Sequence, residues 1–308
     1  MKSWYQLSRI RGIYSKLESC ELLNLKNENF DLGLLVKEFK TSKNVIPMPN
    51  YDTINISKPN EIENILSLVS SKLSSKTTAL IPFQINEEFN NELMLEYGDK
   101  LILRNDSFYI DCSQSLESLM GGVSKRKRSR ARKYNEKGID FKINDPEALS
   151  RFYEDYFFTA DYLGFKKSSL MDVKSIDELL ALEQTCVISA SLDGNIVLSH
   201  LVGLNADKKN AEFVFAAYSS KSSNSLSFEL VWFTINYLKL LGVRSYHLGG
   251  GVTPGDGLEN FKRQFGGVRV RNFCIPIVLN REIYSRCLLQ AGISSPDHSY
   301  FPAYLKGN

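Results

Sequence analysis

Three glycines in a row, Gly249, Gly250 and Gly251, end the apolar run "RSYHLGGG", and Lys262 follows in "GLENFKRQFGG". Glycine weakens a strand, so a triplet at a strand end suits the close approach of another molecule's main chain, with no side chain to block it. A plain glycine-rich turn is the alternative. Tyr218 closes the run "NAEFVFAAY", where a phenol could donate a proton to a leaving group, although a strand-end tyrosine is as readily half-buried structure. Beyond it, "SSKSSNS" leads into a long apolar helix. Asn224 and Ser225 stand there as caps, and the unpaired amides of that helix start favour a phosphate or diphosphate. Upstream, "KRKRSRARK" (125–133) carries seven basic residues and no acid. It can be a solvated face, a site for tRNA phosphates, or a site for anionic lipid and diphosphate groups. No aromatic stacking surface for single-stranded nucleic acid stands beside it.

The chain has 308 residues, 43% of them hydrophobic and 24% charged, with a net charge of +3. That length exceeds one typical core, so two domains are expected, and the modest net charge leaves the local basic run as the electrostatic feature. Cys20, Cys112, Cys186, Cys274 and Cys287 are scattered and odd in number; neither a disulfide framework nor a thiolate metal site follows, and a reducing cytoplasm fits. His200, His247 and His298 stand far apart, so no metal is expected. The segment "MKSWYQLSRIRGIYSKLES" has no long apolar stretch of the signal-peptide kind, and none elsewhere approaches the ~20 apolar residues of a membrane span. A soluble protein is expected, with peripheral membrane contact left open.

Several elements must position these residues. "EIENILSLVSSKL" (61–73) spaces Ile62, Ile65, Leu66, Val69 and Leu73 as one helix face. Residues 116–137 read as helix interrupted at Gly121-Gly122, with Ser124 capping the basic part and Gly138 stopping it. "IDFKI" alternates as a half-buried strand, and Pro146 opens an aromatic-rich helix. "CVISASL", Asp193-Gly194-Asn195 and "IVLSHLVGL" form a hairpin signature, "NAEFVFAAY" a third strand. Residues 226–242 spell a helix with Phe228, Val231, Trp232, Ile235, Leu238 and Leu241 turned to a core. His200, among Leu198, Val202 and Leu204, reads as a satisfied core histidine; His247 is ambiguous. "RSYHLGGG", the short helix "GLENFKRQFGG" and the strand "VRVRNFCIPIVL" complete an order of β-β-β-α-β-α-β.

That order resembles the GNAT acyltransferase core. "LGVRSYHLGGG" followed by "LENFKRQFGG" is similar to the C-terminal signature of the FemABX-like branch, and Asp111-Cys112 leading to "RSRARKYNEKGI" is a second point of likeness. The two cover about 107–279. The resemblance implies two tandem GNAT-like domains of α/β (α+β) class, each a mixed, mostly antiparallel sheet flanked by helices, here 1–115 (degenerate) and 116–308. It implies transfer of an acyl or aminoacyl group from an aminoacyl-tRNA or acyl-CoA co-substrate, without a tightly bound cofactor, to an amine of a cell-envelope precursor such as peptidoglycan or a surface polysaccharide amino sugar. Lys262 becomes a cation near the reacting ester, Phe261 a packing residue that orients it, and Arg128, Arg132 and Lys133 the basic positions of the family. The Gln/Arg-x-x-Gly-x-Gly/Ala loop of ordinary acetyltransferases is missing; "SSKSSNSLSFE" stands there. An inert GNAT-like module that recruits RNA or anionic membrane through the basic helix is the other reading.

Overall fold

The computed structural model describes residues 10–13, 20–26, 31–47, 54–56, 60–85, 101–134, 138–165, 170–251, 255–295 and 300–305. The expectations placed on the first nine residues, on 135–137 and on 252–254 lie outside them. Two compact units emerge, one containing Ser107–Arg269 and the other built from Ser8–Asp106 and Val270–Asn308.

The second of these units contains β1 (Glu21–Lys26), β2 (Asp31–Phe39), β3 (Ser42–Pro47), β4 (Ile54–Ile56), α1 (Asn60–Lys72), β5 (Thr78–Ile85) and β6 (Ile102–Leu103). The spacing expected for α1 holds: Ile62, Ile65, Val69 and Leu73 are buried against Leu32, Leu34 and Val36 of β2. Each such buried side chain contributes about 1.5–3 kcal/mol.

The other unit holds β7 (Ser107–Asp111), α2 (Leu116–Gly122), α3 (Arg128–Arg132), β8 (Ile139–Ile143), α4 (Pro146–Tyr162), α5 (Val173–Leu180), β9 (Thr185–Leu192), β10 (Asn195–Leu204), β11 (Asn210–Tyr218), a 3-10 turn (Lys221–Leu226), α6 (Ser227–Leu240), β12 (Ser245–Gly249) and α7 (Gly257–Arg263). Its strands run in the order β7-β12-β11-β10-β9-β8. All its pairs are antiparallel except β11–β12. The β9–β10 hairpin turns on Asp193 and Gly194 with φ of 50° and 79°, the double positive φ that Asp-Gly supplies. Helix α6 buries Phe228, Val231, Trp232, Ile235 and Leu238 as expected, and Leu230 as well. Leu241 instead turns outward, because the helix has already ended and Gly242 takes φ of 75°.

Two expectations need correcting. The basic stretch is not one helix from Ser124: α3 starts after Lys127, which caps it without a side-chain bond, and spans five residues. The expected boundary between residues 115 and 116 also differs from the observed division. Strand β13 (Val268–Val278) pairs antiparallel with β5 from Arg271↔Ile85 to Val278↔Thr78, so this part of the chain from Val270, with α8 (Arg281–Gln290), belongs to the unit of β1–β6. Among the described residues no helix is long and apolar enough to cross a membrane, and no cluster of three or more His, Cys, Asp or Glu side chains could hold a metal ion.

Candidate active site

Strands β11 and β12 lie parallel but pair only through Asn210↔Ser245, Ala211↔Tyr246 and Glu212↔His247. Beyond that point β11 runs on to Tyr218 and β12 ends at Gly249. The ladder opens into a wedge, and main-chain groups along an opened ladder are what an added strand-like ligand would use.

Lys262 reaches the glycine end of this wedge. Its Nζ donates to the Gly250 carbonyl at 2.8 Å and lies over the Phe213 ring, 5.6 Å from its centroid. The side chain is only 7% exposed. Burial lowers its pKa from 10.5 to about 8, against a smaller opposing pull from Asp256. Among the described residues the ammonium has this single hydrogen-bond acceptor, so donor capacity remains for a ligand oxygen. Gly249 has φ of 71°, and a Cβ there would stand 3.2 Å from Nζ. A Cβ on Gly251 would run into the Asp256 carboxylate. Both positions therefore need glycine for packing, not only to bare the main chain.

Local sequence explains how α7 holds its lysine. Asp256 is the N-cap and accepts from Glu259 N at 2.7 Å, while the Glu259 carboxylate accepts from Gly255 N at 2.6 Å. The first is half of a capping box; in the second the N3 carboxylate reaches one residue further back, to the N–H before the cap. At its far end α7 is pressed on α2: any Cβ at Gly266 would collide with Gly122 main chain, Ser124 N donates to Gln264 O at 2.9 Å, and Phe265 stacks on Phe228 at 4.8 Å. Phe261 sits edge-on to Phe265 at 5.3 Å.

Other predicted residues lie apart from Lys262. Tyr218 N donates to Thr159 Oγ1 at 2.6 Å, and the Ser227 hydroxyl donates to the Tyr218 oxygen at 3.4 Å. Burial raises the phenol's pKa, which keeps it protonated, as a donor must be. No hydrogen bond or ring contact among the described residues joins Tyr218 to Lys262. Asn224 falls in the 3-10 turn, its side chain outside the described residues. Ser225 does not cap α6; Leu226 holds that position, without a side-chain bond. The Ser225 carbonyl instead accepts from Arg130 Nη2 at 2.6 Å. Arg130 also clamps the fully buried Glu229 carboxylate in the first turn of α6, with Nε to Oε1 at 2.7 Å. An internal carboxylate thus faces the positive end of this helix.

The basic cluster divides by role. Arg128 closes the end of α2, donating to Val123 O at 3.0 Å and Gly121 O at 2.9 Å, and Lys127 lies over Phe228. Arg132 and Lys133 are exposed, as are Lys125 and Arg126.

Sequence reasoning missed two features. Where the strands part, His247 Nδ1 lies 2.5 Å from Glu212 Oε2, both residues buried, and Tyr109 stacks on the imidazole at 4.3 Å. The signal was an acid inside the apolar run "NAEFVFAAY". Phe213, the platform under Lys262, was indistinguishable from a core aromatic. His200 is buried and neutral, its pKa lowered to about 3 by burial, and it meets the Phe213 ring edge-on at 5.0 Å; among the described residues its Nδ1 has no hydrogen-bond partner, where a satisfied core histidine was expected.

No family model and no curated protein matches the sequence. Solved structures do match in shape. FemX superposes with a TM-score of 0.66 at 13% identity, covering 92% of this chain and 94% of that one. The C-terminal domain of a protein assigned as a lysylphosphatidylglycerol synthetase from Agrobacterium fabrum gives 0.56 at 15% identity, with 95% and 92% covered. L-PGS from Bacillus licheniformis gives 0.53 at 15% identity, with 92% and 95% covered. The chain accordingly has a FemABX/GNAT-like fold.

Proposed function

We propose that the protein is an N-acyltransferase that moves an acyl or aminoacyl group from an activated donor to an amine of a cell-envelope precursor. The observation that carries this reading is the buried Lys262 ammonium, held by the Gly250 carbonyl at the wedge between β11 and β12. The donor lies along the wedge as an added strand. Its carbonyl oxygen accepts from Lys262, the acceptor amine forms the new C–N bond, and the ammonium steadies the oxyanion. The C–O or C–S bond to the leaving group then breaks, with Tyr218 as the proton donor to it and the amine proton lost to solvent or a base.

Likeness to FemX and to a lysylphosphatidylglycerol synthetase supports an aminoacyl group as cargo and an envelope molecule as acceptor. An aminoacyl-tRNA is therefore the favoured donor over acyl-CoA.

The test is transfer by purified protein from mixed aminoacyl-tRNAs or from acyl-CoAs to peptidoglycan precursors and amino sugars, read by mass spectrometry. Transfer from aminoacyl-tRNA is expected, and Lys262→Ala, checked for folding by circular dichroism, should lose about 10²–10³-fold in rate. Unchanged transfer by that variant, or no transfer from either donor class, overturns the reading.

A further inference from the structure

Helix α4 buries Phe152, Tyr156, Thr159 and Ala160 on one side, with Tyr156 against Phe215 at 5.2 Å. Its outer side ends differently. Phe158, Tyr162, Leu163 and Phe165 are between 38% and 50% exposed. Phe158 and Tyr162 stack, one helical turn apart, at 6.4 Å. Four large apolar side chains within eight positions form a patch, which scattered exposed residues do not.

This patch is held by the backbone. Gly164 takes φ of 72°, its N–H donates to Asp161 O at 3.1 Å, and Phe165 N–H donates to Ala160 O at 2.9 Å. In that closing motif the residue after the glycine usually folds back on the helix; here Phe165 remains outward.

Cations frame the patch. Lys221 lies over the Tyr162 ring at 5.7 Å and opens the 3-10 turn Lys221–Leu226. At about 2 Å rise per residue, this turn leads over about 8 Å to Ser225, where Arg130 anchors the basic segment. Lys125, Arg126, Arg132 and Lys133 of that segment are exposed.

We infer that this face, the end of α4 together with the exposed cations of 125–133 and Lys221, docks on an anionic lipid bilayer. Rings and a leucine that project from a fixed helix end enter the interfacial zone, and the flanking lysines and arginines meet the lipid phosphates. Nucleic acid fits less well. Phe158 and Tyr162 present faces to each other and to Lys221, and Leu163 offers no π surface for a base. This assignment does not depend on the transferase reading.

The experiment is co-sedimentation of the full chain with vesicles of phosphatidylcholine alone and of phosphatidylcholine mixed with phosphatidylglycerol. Binding to the mixed vesicles that weakens with added salt is expected. The triple variant Phe158→Ser, Leu163→Ser, Phe165→Ser should bind at least about tenfold more weakly. Arg126→Glu with Arg132→Glu should do the same by the charge route. All changed side chains are exposed or half-exposed, and circular dichroism checks the fold. Three results would overturn the inference: no binding to the mixed vesicles at low salt, equal binding by the triple variant, or retention of tRNA but not vesicles by this face. Transfer to a water-soluble acceptor amine, measured in parallel, should be unchanged in the triple variant, which separates failure of docking from failure of the catalytic proposal.

Discussion

Replacing Lys262 by methionine should slow transfer by about 10²–10³-fold and yet leave the protein as stable as before, or more so, at neutral pH. The folded lysine has its pKa lowered from 10.5 to about 8 by burial. At about 1.36 kcal/mol per unit, keeping the charge there costs about 3 kcal/mol. Below pH 8 both folded and unfolded lysine are protonated, and the full cost applies. Between about 8 and 10.5 the unfolded chain binds a proton the folded one has lost, so wild-type stability rises with pH through that window. Methionine has no such dependence. It also forfeits the hydrogen bond to the Gly250 carbonyl, worth about 1–3 kcal/mol for a charged donor, so the net gain at neutral pH is about 0–2 kcal/mol. The advantage should shrink by about 3 kcal/mol as pH rises to 10.5. Urea unfolding followed by Trp232, buried under the sheet on α6, in a Trp4→Phe background, measures both. Parallel stability curves for the two proteins would show that the ammonium is not desolvated, and the dry, preorganised cation would have to be abandoned.

If the charged form of Lys262 is what acts, transfer should fall about tenfold per pH unit above about 8; a profile flat to pH 10 contradicts it. Gly249→Ala should destabilise by about 1–2 kcal/mol, through its φ of 71°, and displace the lysine head, so that denaturant midpoint and transfer rate fall together. Arg130→Met removes the guanidinium that clamps the buried Glu229 carboxylate and should cost about 3–5 kcal/mol by the same unfolding assay, whereas Arg130→Met with Glu229→Met should recover most of it.

Much of the local structure was legible because its causes are local. The Asp-Gly hairpin and the 3.6-residue stripe of α1 each place φ angles or apolar faces within a few residues of one another. The domain boundary was not legible. Strand β13 alternates in the same way whichever sheet receives it, and only its pairing with β5, almost two hundred residues earlier in the chain, decides the unit to which it belongs. Leu241 was misread for a smaller reason of the same kind: helical spacing continues past the point where Gly242 ends the helix.

The site divides along the same line, and the division bears on mechanism. Gly249, Gly250, Gly251 and Lys262 were readable as a set because two short elements and one loop bring them together. The basic run was readable as charge but not as role. Arg130 is structural only because Glu229 faces it, and Arg128 only because α2 ends beneath it. What the fold leaves outward, Arg132, Lys133, Lys125 and Arg126, is thus a smaller and more surface-bound set than seven basic residues in nine positions suggest. Within the wedge the opposite happens. The buried Glu212–His247 pair sits where β11 and β12 separate, and polar groups buried at a strand junction cost desolvation free energy that an apolar pair would avoid. Its placement at the end of the parallel β11–β12 ladder sets it next to Phe213, the β11 residue under Lys262, so the pair marks where the wedge opens.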